Sequence, residues 1–89
     1  MNSPVVTLYV TGWCPYCTRA IALLDRKGVT HTLIDIESAP GLRAEMLARA
    51  GGRRTVPQIF IGDHHVGGCD DLYALEAAAH LDPLLGRAG

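Results

Sequence analysis

The chain turns from a strand to a helix within residues 5–20, which read VVTLYVTGWCPYCTRA. Residues 5–10 are β-branched or apolar at almost every position, which predicts a short strand buried on both faces. The next three residues break that pattern. From Pro15 to Lys27 apolar residues recur at helical spacing, proline suits the first turn of a helix, and Gly28 is a typical stop. This segment therefore predicts a strand followed at once by a helix that carries two cysteines at its start.

The rest of the chain predicts three more strands and two more helices. We expect a strand at 31–36, a helix from Leu42 to Gly51-Gly52, strands at 55–61 and 64–67 joined by a tight hairpin, and a closing helix whose apolar residues run from 72 to 81. The order β-α-β-α-β-β-α makes the first two strands parallel and the last two antiparallel. An α/β fold with one four-stranded mixed sheet flanked by helices accommodates this order. No repeat or linker divides the chain, so we expect one domain over residues 1–89.

Composition excludes several classes of protein. With 48% hydrophobic residues and a formal net charge of −1, the 89 residues can form a core and lack the charge of a nucleic-acid-binding module. No apolar run approaches the roughly 18 residues of a membrane span, and the first ten residues do not read as an export signal. Three cysteines, an odd number, are not typical of a secreted scaffold. We expect a cytoplasmic monomer with no nucleic-acid or membrane partner.

The two cysteines at the start of the first predicted helix carry the chemistry. Cys14 falls at or just before the N-cap, where unpaired N–H groups and the positive end of the helix dipole favour a thiolate. Cys17 lies one turn further on the same face and can reach the Cys14 sulfur. We predict that Cys14 attacks and that Cys17 resolves, as a redox pair. A zinc site completed by Cys69 and the His64-His65 pair is the competing interpretation.

Three motifs occur in order along the chain, namely residues 14–17 (CPYC), 55–60 (TVPQIF) and 67–72 (GGCDDL). Together they resemble a dithiol glutaredoxin of the CPYC type, over about residues 5–85. The resemblance implies a thioredoxin-like fold and glutathione-dependent reduction of protein disulfides and protein–glutathione mixed disulfides. It implies glutathione as co-substrate with no tightly bound cofactor or metal, and disulfide-containing or glutathionylated proteins as partners. It also implies a cis peptide bond before Pro57.

A glutathione site needs cations for two carboxylates and an acidic group for one amine. Gly68 and Cys69 begin the last helix, whose N–H groups can hold the γ-glutamyl carboxylate. Asp70 and Asp71 can take the amine, cap the helix, or do both. The backbone of Val56 can pair with the cysteinyl residue as an added strand would.

The glycyl carboxylate requires a further cation. Many glutaredoxins place a lysine three residues before the first cysteine, and that position is Thr11 here. Arg43, Arg53 and Arg54 are the alternatives; Arg54 matches an arginine that often precedes the Thr-Val-Pro motif, and Arg43 lies where the family has a polar contact. The predicted glutathione contacts are Tyr16, Arg43, Arg54, Thr55, Val56, Pro57, Gly68, Cys69, Asp70 and Asp71.

Two other functions are compatible with the residues alone. A thioredoxin-like reductant served by a flavoprotein reductase would use the same cysteine chemistry without needing Asp70, Asp71 or a cationic pocket. An iron–sulfur cluster carrier or a zinc-binding module would instead use Cys14 as a metal ligand. Pro15 is less common in the members of the family that bind clusters.

Overall fold

The computed structural model describes residues 4–86 and confirms the predicted order of strands and its mixed sheet. The first and last three residues of the predicted 1–89 domain lie outside the described residues. Within the described residues four strands and four helices follow one another: β1 (Val6–Val10), α1 (Pro15–Arg26), β2 (Thr32–Asp35), α2 (Leu42–Arg49), β3 (Gln58–Ile61), β4 (His64–Gly67), α3 (Cys69–Ala77) and α4 (Leu81–Leu84). None of the helices over residues 4–86 is long and apolar enough to cross a membrane.

The sheet has the strand order β2-β1-β3-β4, with β1 and β3 in the middle. β1 pairs in parallel with β2 and antiparallel with β3, and β3 pairs antiparallel with β4. Every residue of β1 except Thr7 is buried, as the continuous apolar run predicted. The register between β3 and β4 shifts between Ile59 and Phe60, so that Phe60 lies opposite His65.

Helices cover both faces of the sheet, and each face has its own core. Because side chains alternate along a strand, Leu8 and Val10 point to one face and Tyr9 to the other. The larger core joins α1, α3 and α4 to the first face; its buried residues are Val6, Leu8, Val10, Cys17, Ala20, Leu23, Leu24, Val29, Ile59, Ile61, Cys69, Leu72, Leu81 and Leu85. The smaller core lies under α2 and contains Tyr9, Ile36, Met46, Ala50 and Phe60.

Polar contacts fix the helices at two places. The Lys27 ammonium at the end of α1 lies 2.8 Å from Glu76 Oε1 and 2.9 Å from Asp82 Oδ1, so one cation ties α1 to α3 and α4. These two carboxylates raise the pKa of Lys27. On the opposite face, the buried Tyr9 hydroxyl donates to Glu45 Oε2 at 2.6 Å and accepts from Arg49 Nη1 at 2.9 Å, which anchors α2.

The first helix ends where the sequence predicts. The Gly28 N–H donates to Asp25 O and the Val29 N–H to Leu24 O, the paired bonds of a Schellman motif, and Gly28 has φ +70°. Glycine is favoured there because the left-handed conformation carries no Cβ penalty for it.

Two boundaries differ from the prediction by three residues or more. The third strand begins at Gln58 rather than residue 55, since Pro57 has no N–H for the ladder. The closing helix ends at Ala77, and Leu81 belongs to the separate α4. The break is a second Schellman motif, in which Ala79 takes the left-handed position at φ +61° and the His80 N–H donates to Leu75 O.

Candidate active site

Cys14 is the N-cap of α1, with extended backbone (φ −154°, ψ 112°) and Pro15 at the first turn. Its sulfur accepts the Cys17 backbone N–H at 3.3 Å, a position that a serine or threonine oxygen usually occupies. No acidic residue lies in the first turn of α1, so nothing there opposes negative charge on the sulfur. Since Cys14 is only partly buried, the helix end can stabilise a thiolate that remains open to a partner.

Cys17 lies one turn inside α1 and is 3% exposed. Burial raises the pKa of its thiol to about 12, and the neighbouring Cys14 sulfur contributes to the rise. Both cysteines are free thiols in this structure. The pair thus consists of one accessible sulfur at the helix end and one protonated thiol behind it, which is the difference that the predicted roles require.

The segment Thr55–Pro57 runs beside the nucleophile. The Val56 carbonyl oxygen lies 3.7 Å from Cys14 Sγ. The Val56–Pro57 peptide bond is cis, which confirms what the resemblance implied. Pro57 is buried, whereas Val56 is half-buried and outside the strands, so its main chain lies within reach of a peptide whose sulfur is bonded to Cys14.

A cavity of about 250 Å³ adjoins this segment and the start of α3. Eight of the ten predicted glutathione contacts line it, together with one residue outside that set; the lining comprises Tyr16, Arg53, Thr55, Val56, Pro57, Gly68, Cys69, Asp70 and Asp71. A larger cavity of about 450 Å³ lies among Val5, Gly28 and Leu85, and among the described residues of its lining only His31 is titratable. The smaller cavity, with its charged residues beside the cysteine pair, is the better candidate for a binding site.

The cation in this cavity is Arg53, and Arg43 and Arg54 lie outside its lining. Arg43 is exposed on α2, and Arg54 is exposed in the loop between α2 and β3. Arg53 instead reaches α3, where its Nη1 lies 3.3 Å from Asp71 Oδ2. Neighbouring residues of an extended loop point in different directions, and the sequence does not show which of two adjacent arginines faces the site.

Asp71 links the helix end to the cavity. Its Oδ2 accepts the Gly68 N–H at 2.8 Å, which is the acidic half of a capping box. That hydrogen bond and the Arg53 guanidinium lower the pKa of Asp71, so the carboxylate is ionised at neutral pH. Gly67 has φ +112°, and a Cβ there would collide with the Asp71 carboxylate and with Arg53. Gly67 therefore lets the chain pass close to this carboxylate.

The N-terminus of α3 adds donors to the same cavity. The first hydrogen bond within the helix runs from the Leu72 N–H to Gly68 O, so the N–H groups before Leu72 have no acceptor within the helix. Cys69 is buried, and burial raises the pKa of its thiol. A helix N-terminus, one arginine and two carboxylates thus border a cavity beside a cysteine nucleophile, an arrangement suited to a small peptide with anionic and ammonium groups.

Two aromatic side chains beside the nucleophile are exposed to solvent. Trp13 is 88% exposed and Tyr16 is 55% exposed. Trp13 lies outside the cavity lining, whereas Tyr16 is part of it. Large aromatic groups at such positions are typical of surfaces that bind other proteins.

The sequence motifs did not predict a hydrogen-bond network that joins Gln58, Thr55 and His65 beside the cavity. Gln58 is fully buried, and its Nε2 donates to the Thr55 carbonyl oxygen at 2.9 Å and to Thr55 Oγ1 at 3.1 Å. Its Oε1 lies 2.7 Å from His65 Nε2. The sequence did carry a signal, a glutamine at the start of an otherwise apolar strand, because buried amides need hydrogen-bond partners.

The zinc interpretation gains no support from this geometry. Within residues 4–86, no group of three or more His, Cys, Asp or Glu side chains is arranged to hold a metal ion. His65, one of the proposed ligands, has its Nε2 engaged with Gln58.

Comparisons with known proteins agree on one family. The glutaredoxin family model matches residues 6–66. The chain is 61% identical to a glutaredoxin of Pseudomonas aeruginosa, over 92% of this chain and 96% of that protein. The solution structure of a glutaredoxin from Brucella melitensis is 54% identical, with a TM-score of 0.83, over 100% of this chain and 98% of that one. The crystal structure of a buckwheat glutaredoxin–glutathione complex is 31% identical, with a TM-score of 0.84, over 94% of this chain and 77% of that one.

Proposed function

The chain belongs to the glutaredoxin family, and on that premise we propose that Cys14 is its nucleophile, Cys17 its resolving thiol and the cavity beside Asp71 its glutathione site. As a glutaredoxin it is a glutathione-dependent thiol–disulfide oxidoreductase with the thioredoxin-like fold, and glutathione is its co-substrate. The observation that carries the assignment is the position of Cys14, half-buried at the N-terminus of α1 and 3.7 Å from the Val56 carbonyl oxygen.

On protein–glutathione mixed disulfides, Cys14 alone is sufficient. The Cys14 thiolate attacks the glutathione sulfur, a Cys14–glutathione disulfide forms, and the protein leaves as a thiolate that takes up a proton. A second glutathione thiolate then attacks the glutathione sulfur of that disulfide. Oxidised glutathione leaves and the Cys14 thiolate is restored. One mixed disulfide and one free glutathione are thereby converted into one protein thiol and one oxidised glutathione.

On protein disulfides, Cys17 completes the reaction. Cys14 attacks one sulfur of the protein disulfide and forms a mixed disulfide with the protein. Cys17 then attacks the Cys14 sulfur, the protein leaves reduced, and the Cys14–Cys17 disulfide is returned to dithiol by two glutathiones. Part of what raises the pKa of Cys17 is the hydrogen bond and charge of the Cys14 sulfur. Both are removed once that sulfur is in a disulfide, so Cys17 becomes easier to ionise at the step that needs its thiolate.

The cavity residues give each part of glutathione a partner. The N–H groups at Cys69 and Asp70 bind the γ-glutamyl carboxylate, and Asp71 takes the γ-glutamyl amine. The Val56 main chain pairs with the cysteinyl residue, which brings the glutathione sulfur to Cys14. Support comes from the cavity lining and from the ionised state of Asp71.

We assign Arg53 as the cation that binds the glycyl carboxylate of glutathione. Arg43 and Arg54, the arginines that the sequence favoured, do not line the cavity, and Arg53 does. Thr55, Pro57, Gly68 and Tyr16 complete the walls.

The protein partner approaches over the exposed aromatic groups. Disulfide-containing and glutathionylated proteins must bring a sulfur to Cys14, and Trp13 and Tyr16 border the approach. We further propose that residues 1–89 form one domain that acts as a monomer in the cytoplasm. The odd number of cysteines supports a reducing compartment, because secreted disulfide scaffolds pair their cysteines.

A pair of serine variants tests the assignment of roles. Activity is measured as glutathione-dependent reduction of a small glutathione mixed disulfide, coupled to glutathione reductase. We expect Cys14→Ser to abolish turnover and Cys17→Ser to retain it, because the second glutathione replaces the resolving thiol. Ala48→Ser, at an exposed position of α2 outside the cavity lining, is the control and should also retain turnover. Equal loss in Cys14→Ser and Cys17→Ser would contradict the roles.

The same preparation tests the two rival functions. A thioredoxin-like reductant would turn over with a flavoprotein thioredoxin reductase and not with glutathione. A cluster carrier would show visible absorbance when freshly purified. Glutathione-dependent turnover by a colourless protein is the result that we expect.

A further inference from the structure

His65 has no place in the chemistry described above, yet it is held as tightly as a core residue. Its ring stacks on Phe60 at a centroid distance of 4.8 Å and an interplanar angle of 20°. The Arg49 guanidinium lies on Phe60 as well, 4.2 Å from the ring centroid. The stacking fixes the plane of the imidazole, and with it the direction in which Nε2 points.

The hydrogen bonds of Gln58 decide which nitrogen of His65 carries the proton. The Gln58 amide nitrogen faces Thr55, where it has two acceptors at 2.9 and 3.1 Å. The amide oxygen is therefore the atom that faces His65 Nε2 at 2.7 Å, and it needs a donor. Burial and the positive charge of Arg53 lower the pKa of His65, so its ring is neutral at neutral pH. The neutral ring must then carry its proton on Nε2.

Thr55 is the far end of this chain of hydrogen bonds. It is exposed and lies in the loop before β3, and it lines the cavity immediately before Val56. Its carbonyl oxygen and its hydroxyl are both held by the single Gln58 amide. Without a donor from His65, the buried Gln58 oxygen would be unsatisfied, and turning the amide to find one would release Thr55.

We propose that His65 is a positioning residue for the glutathione site: its Nε2–H orients the Gln58 amide, which holds Thr55 and thereby the Val56 main chain in the conformation that binds glutathione. The inference rests on the glutathione site proposed above. His65 does not line the cavity and acts on it only through Gln58 and Thr55, so its effect should fall on binding rather than on the chemistry of Cys14.

Two substitutions separate the donor from the bulk of the side chain. His65→Leu keeps an apolar group of similar size on Phe60 and has no donor, whereas His65→Gln can still donate an N–H to Gln58. In the coupled assay, at a fixed glutathione concentration, we expect His65→Leu to raise the apparent KM for the glutathione mixed disulfide by about five- to twentyfold, the effect of one unmet buried acceptor. Maximal turnover and the rate of Cys14 alkylation by iodoacetamide should stay within about twofold of the wild type. His65→Gln should recover most of the lost affinity.

Several results would overturn the inference. These are an unchanged KM in His65→Leu, a fall in maximal turnover without a change in KM, or an equal rise in KM in both variants. If His65→Leu does not fold, nitrogen-15 NMR of the wild-type imidazole decides, since a proton on Nδ1 alone contradicts the network. A wild-type protein whose turnover does not saturate with the glutathione mixed disulfide would instead contradict the glutathione site itself, and would be distinguished by that control.

Discussion

Replacing Asp71 by asparagine should separate two roles that one carboxylate combines. Asp71 accepts the Gly68 N–H at 2.8 Å, pairs with Arg53 at 3.3 Å, and in our proposal takes the amine of glutathione. Asparagine keeps an oxygen for the Gly68 N–H and removes the charge. Alanine removes both, so the two variants should share a loss of glutathione use and differ in stability.

The magnitudes follow from the contacts. Loss of a charge-assisted hydrogen bond to the ammonium costs about 1.5–3 kcal/mol, which lowers kcat/KM for the glutathione mixed disulfide roughly 10- to 150-fold in both variants. The Arg53–Asp71 ion pair contributes little to stability, because both side chains are 48% exposed and solvent screens the pair. Loss of the cap in Asp71→Ala should reduce the free energy of unfolding by about 0.5–2 kcal/mol, a cost that Asp71→Asn largely avoids.

The assay compares three quantities in each variant. These are glutathione-dependent turnover, the rate of Cys14 alkylation by iodoacetamide, and the midpoint of urea unfolding. Alkylation should barely change, because the Cys14 sulfur is supported by its own helix. Asp63→Asn, at an exposed position in the β3–β4 hairpin, is the matched control and should behave as the wild type. Turnover of Asp71→Asn at the wild-type level would refute the amine contact and leave only the helix cap.

The dependence of the free energy of unfolding on pH, in the acid range, tests the same carboxylate. The pKa of Asp71 is lowered in the folded state, first by the Gly68 N–H. Its contribution is therefore fully present above the unfolded value of about 3.9 and is lost as the pH falls through the lower folded value. The difference in stability between the wild type and Asp71→Ala should be constant from neutral pH to about pH 5 and shrink below that.

Two further predictions concern the cysteine pair and the glycine corner. At pH 8 iodoacetamide should modify Cys14 and leave Cys17 intact in the native protein, because Cys17 is 3% exposed and burial raises the pKa of its thiol; mass spectrometry checks this, with unfolded protein as the control, and dialkylated native protein would contradict it. Gly67→Ala should destabilise the protein by more than the ~1–2 kcal/mol of an alanine in a left-handed conformation, because its Cβ would also collide with Asp71. Gly51→Ala, where φ is positive and the Cβ would meet open space, should cost only that ~1–2 kcal/mol. Equal urea midpoints for the two variants would contradict the close approach at Gly67.

Sequence reasoning worked best where one residue type has one physical meaning. Gly28 marked the end of α1 because its left-handed conformation is what the terminal motif needs. The cysteine at a strand-to-helix turn predicted in the same way that Cys14 begins the first helix, and Cys14 is the N-cap of α1. It did less well where the decisive property belongs to the backbone. Ala79 closes α3 in the conformation that glycine usually takes, and nothing in an alanine-rich run reveals that.

The parts of the site that the sequence left open depend on tertiary placement. Arg53 and Arg54 are adjacent and chemically identical, and only the course of the loop decides which one reaches Asp71. Gln58 and His65 meet because β3 and β4 pair with a shifted register, and a bulge of that kind has no local signature. Recognising such a network from sequence would require knowing the strand pairing beforehand.

The unequal cores on the two faces of the sheet have a consequence for amide hydrogen exchange. Fourteen buried residues join α1, α3 and α4 to the sheet, whereas five lie under α2, which buries only Met46 along its own length. The opening free energy of a segment follows the apolar surface that it must expose, so α2 belongs to the weaker of two cooperative units. The backbone amides of α2 should exchange with deuterium through local opening. Those of α1 should exchange only through global unfolding. The cysteine helix thus stays ordered through fluctuations that release α2 at the opposite face.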